Sequence, residues 1–186
     1  LSHAYLFSGL RGSGKTSTAR IMAKALLCEN GPSSKPCEVC ENCLSAKSGK
    51  HLDIIEMDAA SRTGVDDIRE IIEASRYKAV SGRYRIYIID EVHMLSKSAF
   101  NALLKTLEEP PAHVKFIFAT TEIHKVPPTI LSRCQRFDFR KIPPDLMMDC
   151  LRKICDAEKI RYDDAALNII TAESEGCLRD AQSILE

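Results

Sequence analysis

The sequence carries no net charge: 26 Lys and Arg offset 26 Asp and Glu over 186 residues. That absence excludes capture of a polyanion by bulk electrostatics, so any contact with nucleic acid has to be local or shared between subunits. No apolar run approaches 20 residues and no signal-peptide pattern opens the chain, which argues against a membrane-spanning helix and for a cytoplasmic protein. Internal repeats and low-complexity tracts are missing too. The histidines, His3, His51, His93, His113 and His124, show no metal-ligand spacing and read as ordinary polar residues. The chain opens on Leu1 without Met and stops at Glu186 inside a helical pattern, so it reads as an excerpt from something longer.

What is present is more specific. Gly9-Leu10-Arg11-Gly12-Ser13-Gly14-Lys15-Thr16 fits G-x-x-x-x-G-K-[ST], the phosphate loop of nucleoside-triphosphate-binding proteins. A chance match in a chain of this length has odds of about one in a hundred, so context decides. The short apolar run "AYLFS" before the loop reads as a buried strand. Ile21, Met22, Ala25 and Leu26 after it recur at helical spacing. A turn poor in side chains, ending at a helix N-terminus, lets backbone N–H groups surround phosphate oxygens. Gly9, Gly12, Ser13, Gly14, Lys15, Thr16 and Ser17 are therefore the expected nucleotide-binding residues, with Lys15 on the β and γ phosphates and Thr16 on Mg²⁺.

Cysteine usage divides in two. Cys28, Cys37, Cys40 and Cys43 form C-x8-C-x2-C-x2-C, whereas Cys134, Cys150, Cys155 and Cys177 are scattered and read as small core residues. In a reducing compartment the tight set suits a metal better than disulfides, and four thiolates suit tetrahedral Zn²⁺. The expectation is a structural zinc insert over residues 28–43, with redox-active thiols as the alternative. The intervening "ENGPSSKP" is turn-rich with little apolar content and needs such a staple.

Along the rest of the chain strands and helices alternate. "DIIEMD" (53–58), "YRIYIIDE", "VKFIFATT" and "RFDFR" read as strands, and "GVDDIREIIEASRYK" and "SKSAFNALLKTLEEPP" as helices. This order predicts right-handed βαβ units, that is, an α/β fold with a parallel central sheet flanked by helices. From Pro144 the pattern is helical only, in three segments. We therefore expect an α/β nucleotide-binding domain over 1–142 and a small helical domain, incomplete, over 143–186.

The other strand ends carry the remaining chemistry. Asp90 closes a buried strand, where open α/β sheets gather ligands, and suits the Mg²⁺ shell. Glu91 would orient and activate a water for attack on the γ phosphate, and Thr120 and Thr121 close the next strand with neutral hydroxyls.

Together "HAYLFSGLRGSGKTSTARIMAKALLC", the four-cysteine insert, "DAASRTGVDDIRE", "IYIIDEVHMLSKSAFNALLKTLEEPP", "FIFATTE", "ILSRCQRF" and "GCLRDAQS" resemble the AAA+ module of the bacterial DNA polymerase III gamma/tau subunits. The resemblance runs over essentially the whole chain. It implies an AAA+ P-loop fold with a helical lid, here truncated, and an ATPase motor of the sliding-clamp loader. It places Thr121 at the sensor-1 position, Arg133 in the Ser132-Arg133-Cys134 motif that reaches a neighbouring subunit's ATP site, and Arg179 in the sensor-2 segment that reads nucleotide from the lid. Its implied cofactors are ATP, Mg²⁺ and Zn²⁺. Its implied partners are delta and delta-prime subunits, further gamma/tau copies in a hetero-pentameric ring, the clamp and primed DNA, with no membrane. Ser61, Arg62 and Thr63, in the segment that lines such a ring, are the candidates for sequence-independent DNA contact, although Asp66 and Asp67 nearby would repel phosphate. Delta-prime is similar but is expected to lack a working phosphate loop, which favours gamma/tau. Two rival readings stay open: a scaffold that binds ATP without cleaving it, and a helicase fragment, since Asp90-Glu91-Val92-His93 also spells a DExH box.

Overall fold

The computed structural model describes residues 1–186. Its strands are β1 (Ala4–Gly9), β2 (Ile54–Asp58), β3 (Arg85–Asp90), β4 (Val114–Thr120) and β5 (Gln135–Phe139), in the sheet order β2-β3-β4-β1-β5. The pairs β2/β3, β3/β4 and β1/β4 are parallel. Helices are α1 (Lys15–Leu27), α2 (Glu41–Lys47), α3 (Val65–Ser75), α4 (Lys97–Glu108), α5 (Pro128–Leu131), α6 (Pro144–Glu158), α7 (Asp164–Glu173) and α8 (Leu178–Leu185). The expected alternation is present. Helix α2, which starts at the end of the cysteine segment and runs past it, and the short α5 are elements the sequence pattern did not announce.

By their contacts the residues form two compact units, one of Leu1–Ser8 with Thr16–Phe137 and the other of Gly9–Lys15 with Asp138–Glu186. In the larger unit the central strands are buried on both faces. Leu6, Tyr87, Ile89, Phe116 and Phe118 join one core cluster with Ile68 and Ile71 of α3 and Phe100, Leu103 and Leu107 of α4. The residues that alternate with them, Tyr5, Phe7, Ile86, Ile88 and Ile117, are also buried. A strand with both faces covered has to be apolar throughout, which is why "IYII" and "FIFA" read as unbroken runs. Phe116 stacks on both Tyr87 and Phe118, with ring centroids 5.4 and 5.8 Å apart.

Helix α4 begins where Ser96 Oγ accepts the Ala99 N–H at 3.2 Å, an N-cap bond that satisfies one of the first-turn donors. In the smaller unit Met147, Leu151 and Cys155 of α6, Leu167 of α7 and Ala181 of α8 make a separate core.

One buried polar group organises the start of the sheet. Asp53 is fully buried and accepts the N–H groups of Val80 (2.6 Å), Ser81 (2.8 Å) and Gly82 (2.8 Å) and the Ser81 hydroxyl (3.1 Å). Burial alone would push this carboxyl up, but the bonds to those donors outweigh it and hold the group below the usual carboxylate range. His51 accepts the Asp53 N–H at 3.0 Å and reaches Asn42 at 3.1 Å, so the same network runs into α2. Replacing Asp53 by Asn should destabilise the larger unit by about 2 to 4 kcal/mol in denaturant titration, because one carboxylate oxygen becomes an NH₂ group that faces the converging N–H donors and cannot accept from them. Because the folded carboxyl is held down, its contribution is present at neutral pH and lost as the pH falls through that lowered value. Asp53→Asn should therefore flatten the acid limb of the stability profile.

Candidate nucleotide and metal sites

Parallel register sets the carboxyl ends of the strands side by side. Ser8 of β1 is opposite Thr120 of β4, and Asp58 of β2 is opposite Asp90 of β3. Side chains at those ends sit where the backbone stops pairing and α/β sheets bind their ligands. Thr16, the second residue of α1, donates its hydroxyl to Asp90 Oδ2 at 2.6 Å. Glu91 follows in the left-handed region, at φ 46°, a strained conformation for a glutamate, of the kind functional sites retain. Its Oε2 accepts the Thr121 hydroxyl at 2.9 Å and the Thr121 N–H at 3.2 Å. Thr120, fully buried, bonds the His93 ring instead, at 2.9 Å. The two threonines therefore face different partners.

Lys15 is buried, and its ammonium donates to the carbonyls of Gly9 and Leu10 at 2.9 and 2.8 Å. The loop also carries a buried Ser13 hydroxyl with no partner. Gly14 sits at φ +88° with open space where a Cβ would project, and Gly12 at φ +74°. A buried ammonium, an unpaired hydroxyl and an open glycine are what a bound phosphate chain requires. Thr16 and Asp90, in direct contact, fit the shell of a Mg²⁺ ion. Ser17 is exposed on α1.

Within the smaller unit the loop meets the start of α8. A Cβ on Gly12 would fall 2.1 Å from Cys177 Sγ and 3.2 Å from the Arg179 Cβ, so only glycine fits there. Arg179 itself is exposed. Arg133 is largely shielded: its guanidinium donates to the Thr129 carbonyl and pairs with Glu108 at the end of α4, both at 2.6 Å. Burial pushes the neighbouring Cys134 thiol up to about 12, which makes it an inert packing group.

Ser61, Arg62 and Thr63 are exposed before α3, in a turn that Asp58 closes by accepting the Ala60 N–H at 2.8 Å and the Ser61 hydroxyl at 3.1 Å. Asp66 pairs with Arg69 at 2.9 Å.

The four clustered cysteines converge. Their sulfurs lie within 4.8 Å of one another. A tetrahedral zinc with Zn–S bonds of about 2.3 Å needs sulfurs about 3.8 Å apart, so the set fits with small adjustment. The backbone is arranged for thiolates: Cys37 N–H points at Cys28 Sγ (3.3 Å), Cys40 N–H at Cys37 Sγ (3.4 Å) and Cys43 N–H at Cys40 Sγ (3.4 Å). Such donors, the Cys37 N–H foremost for Cys28 and the Val39 N–H for Cys37, hold those two thiols down. Burial pushes Cys43 up to about 12, a proton that a bound cation would displace. Cys40 also caps α2, which explains a helix in a segment otherwise short of apolar residues.

Three participants escaped the sequence reading. Glu108 and Asp53 are far in sequence from the groups they hold, and nothing in a linear pattern announces such pairs. The spacing of His93 marks it as an ordinary polar residue, whereas the structure buries its side chain between Glu91, Thr120 and Glu122.

Two substitutions test the loop. Gly12→Ala should cost about 1 to 3 kcal/mol of stability in thermal melts, from its left-handed backbone and the clash with Cys177. Adding Cys177→Ala should return part of that loss, because the clash term goes while the backbone term stays.

Known proteins resemble this chain in sequence and in fold. The family model for the DNA polymerase III delta subunit matches residues 1–143, and that for the ATPase lid domain of DNA polymerase III clamp loader subunits matches 147–186. Over its whole length the chain is 54% identical to DNA polymerase III subunit tau of Bacillus subtilis and 50% identical to that of Escherichia coli, covering 33% and 29% of those proteins. It is also 50% identical to subunit gamma of Buchnera aphidicola, of which it covers 50%. The chain thus spans between about a quarter and half of the curated relatives it matches. Among solved structures, the Thermotoga maritima RuvB Holliday junction branch migration motor superposes with a TM-score of 0.67 at 18% identity, over 97% of this chain and 52% of that one. A gamma subunit-related protein of Thermotoga maritima superposes with a TM-score of 0.55 at 20% identity, over 94% of this chain and 54% of that one. These two likenesses concern the AAA+ fold alone. On the family match, and with similarity to tau and gamma over the whole of this chain, the chain belongs to the DNA polymerase III clamp loader subunits.

Proposed function

We propose that this chain is the ATP-binding and ATP-hydrolysing module of a gamma/tau-type clamp-loader subunit, which uses ATP to open a sliding clamp and place it on primed DNA. The observation that carries the reading is the 2.6 Å contact of Thr16 with Asp90, with Glu91 on the next residue bonded to Thr121. A pure nucleotide scaffold needs the first pair and has no use for a strained glutamate beside it. In this reading Lys15 exchanges its loop carbonyls for the β and γ phosphates, and the backbone of Gly9 to Ser17 surrounds the phosphate chain. Thr16 and Asp90 would hold a Mg²⁺ ion, which when bound would supply neutralisation of the charge on the phosphate chain. Glu91, released from Thr121, takes up the attacking water, and Thr121 reads the γ phosphate. Arg179 contacts nucleotide from the lid, and Arg133 serves a neighbouring subunit.

Arg133 as seen here is tied to Glu108 of its own chain, so a docking partner has to draw it away. That makes hydrolysis a report of assembly, with delta, delta-prime and other gamma/tau copies completing a pentameric ring in the cytoplasm. Residues 1–142 would form the nucleotide-binding domain and 143–186 the lid. No helix is long and apolar enough to cross a membrane. Ser61, Arg62 and Thr63 supply local DNA contact, with Asp66 neutralised by Arg69.

The test is ATP hydrolysis by the full-length subunit mixed with delta, delta-prime, clamp and primed DNA. Arg133→Ala and Glu91→Gln should both keep nucleotide binding and lose the stimulated rate, the arginine variant by on the order of 10³-fold. A rate indifferent to Arg133→Ala, or one that needs neither partner nor clamp, sinks the assembly-dependent motor reading of this chain.

The same reading makes zinc structural, held by Cys28, Cys37, Cys40 and Cys43. Elemental analysis should find one zinc per chain, and Cys40→Ser should lower that content and loosen the 28–47 segment to proteolysis without changing the phosphate loop. Full retention of zinc by Cys40→Ser would overturn the assignment.

A further inference from the structure

His93 is the buried titratable group that the hydrolytic scheme above leaves unused. Its side chain is 5% exposed. Its Nδ1 lies 2.9 Å from Thr120 Oγ1 and 3.3 Å from Glu91 Oε2, and its Nε2 lies 3.4 Å from Glu122 Oε1. Thr120 Oγ1 meanwhile accepts the Glu122 N–H at 3.1 Å, and Glu122 is held from outside by Lys125 at 2.8 Å and by His124 at 3.5 Å. One imidazole therefore touches the residue that closes β4, the carboxylate just past it and the carboxylate just past β3.

We propose that His93 is a positioning residue for ATP hydrolysis, tying Glu91 to the Thr120–Glu122 end of β4 so that the water-activating carboxylate and the γ-phosphate-reading hydroxyls hold one geometry. The inference rests on the hydrolytic reading above. Two observations support it beyond proximity. Glu91 stands in a left-handed conformation, which persists only where surroundings over-determine it, and its Oε2 is gripped from both sides, by Thr121 and by His93. Thr120 is fully buried, so its hydroxyl has the imidazole as its side-chain partner and no access to bulk water. An aliphatic side chain in place of His93 would leave that hydroxyl with the Glu122 N–H alone, its side-chain partner lost, and Glu91 held by Thr121 alone. Misplacement of a water-orienting group by about 1 Å is enough to slow chemistry about 100-fold while leaving ground-state binding intact.

The experiment compares full-length parent, His93→Leu, His93→Asn and Lys15→Ala, assembled with delta, delta-prime, clamp and primed DNA. Affinity is read with a fluorescent ATP analogue and turnover with ATP. His93→Leu should keep affinity within about twofold and lose about 10- to 100-fold in kcat. His93→Asn, whose amide reaches the place of Nδ1, should recover most of that loss, which a role in packing alone would not produce. A His93→Leu enzyme with the parent's kcat, or an Asn variant no better than Leu, overturns the proposal. A parent that turns over no faster than Lys15→Ala overturns the hydrolytic reading itself. The contact is then judged by the ring nitrogen resonances of His93: a change on Glu91→Gln upholds it, and no change removes it.

Discussion

Parallel pairing of β1, β3 and β4 leaves these three central strands covered on two faces, and its register decides where the chemistry stands. Ser8 is opposite Thr120 and Asp58 is opposite Asp90, so the polar groups that close the strands fall side by side. A slip of one residue in β3 would turn Ile86 and Ile88 to the opposite face and move Asp90 away from Thr16. Strand register and the placement of the Thr16–Asp90 contact are thus one constraint. Polar chemistry collects at the carboxyl ends because those are the first positions where a side chain escapes the covered faces.

Polar groups inside the fold obey the same economy on a smaller scale. Asp53 is tolerated in the interior because three N–H groups and a hydroxyl converge on it, and the turn at 80–82 in turn depends on Asp53 for its shape. The cysteine segment solves a related problem by other means. It has too few apolar residues to form a core, and its order comes from four sulfurs that meet at one point, with N–H groups directed at them and Asn42 bonded to the Leu27 carbonyl at 3.1 Å. Both devices fix loops that lie between elements of the sheet without spending apolar surface on them.

Around Glu91 the structure shows restraint more than exposure. Its carboxylate is engaged by Thr121, its neighbour His93 is buried among two carboxylates and a hydroxyl, and Arg133 is held by Glu108. In the proposed function the Thr121 and Glu108 contacts are exchanged for contacts with nucleotide, water or a partner before turnover, while His93 keeps its own. Under the proposed function, the chain by itself rests in a state where binding groups are formed and hydrolytic groups are occupied. That separation is what a switch needs, since ATP can then be held without being spent until assembly is complete.

Local pattern carried a great deal. Strict apolar runs, the glycine spacing before Lys15, the carboxylates after "IYII" and the two-residue gaps between cysteines are short-range signals, and each follows from a requirement met within a few residues: burial on two faces, room for phosphate, a strand end, one ion shared by neighbouring sulfurs. Tertiary structure alone decided the pairings. Glu108 with Arg133, Asp53 with the 80–82 turn, Cys177 against Gly12, and His93 between Glu91 and Thr120 join residues brought together by strand register or helix docking, and a linear pattern does not encode which distant side chains will meet. The helix at 41–47 was hidden for the same reason: its N-cap is a cysteine whose sulfur also belongs to the cluster, so its stability comes from convergence in space and not from propensity along the chain.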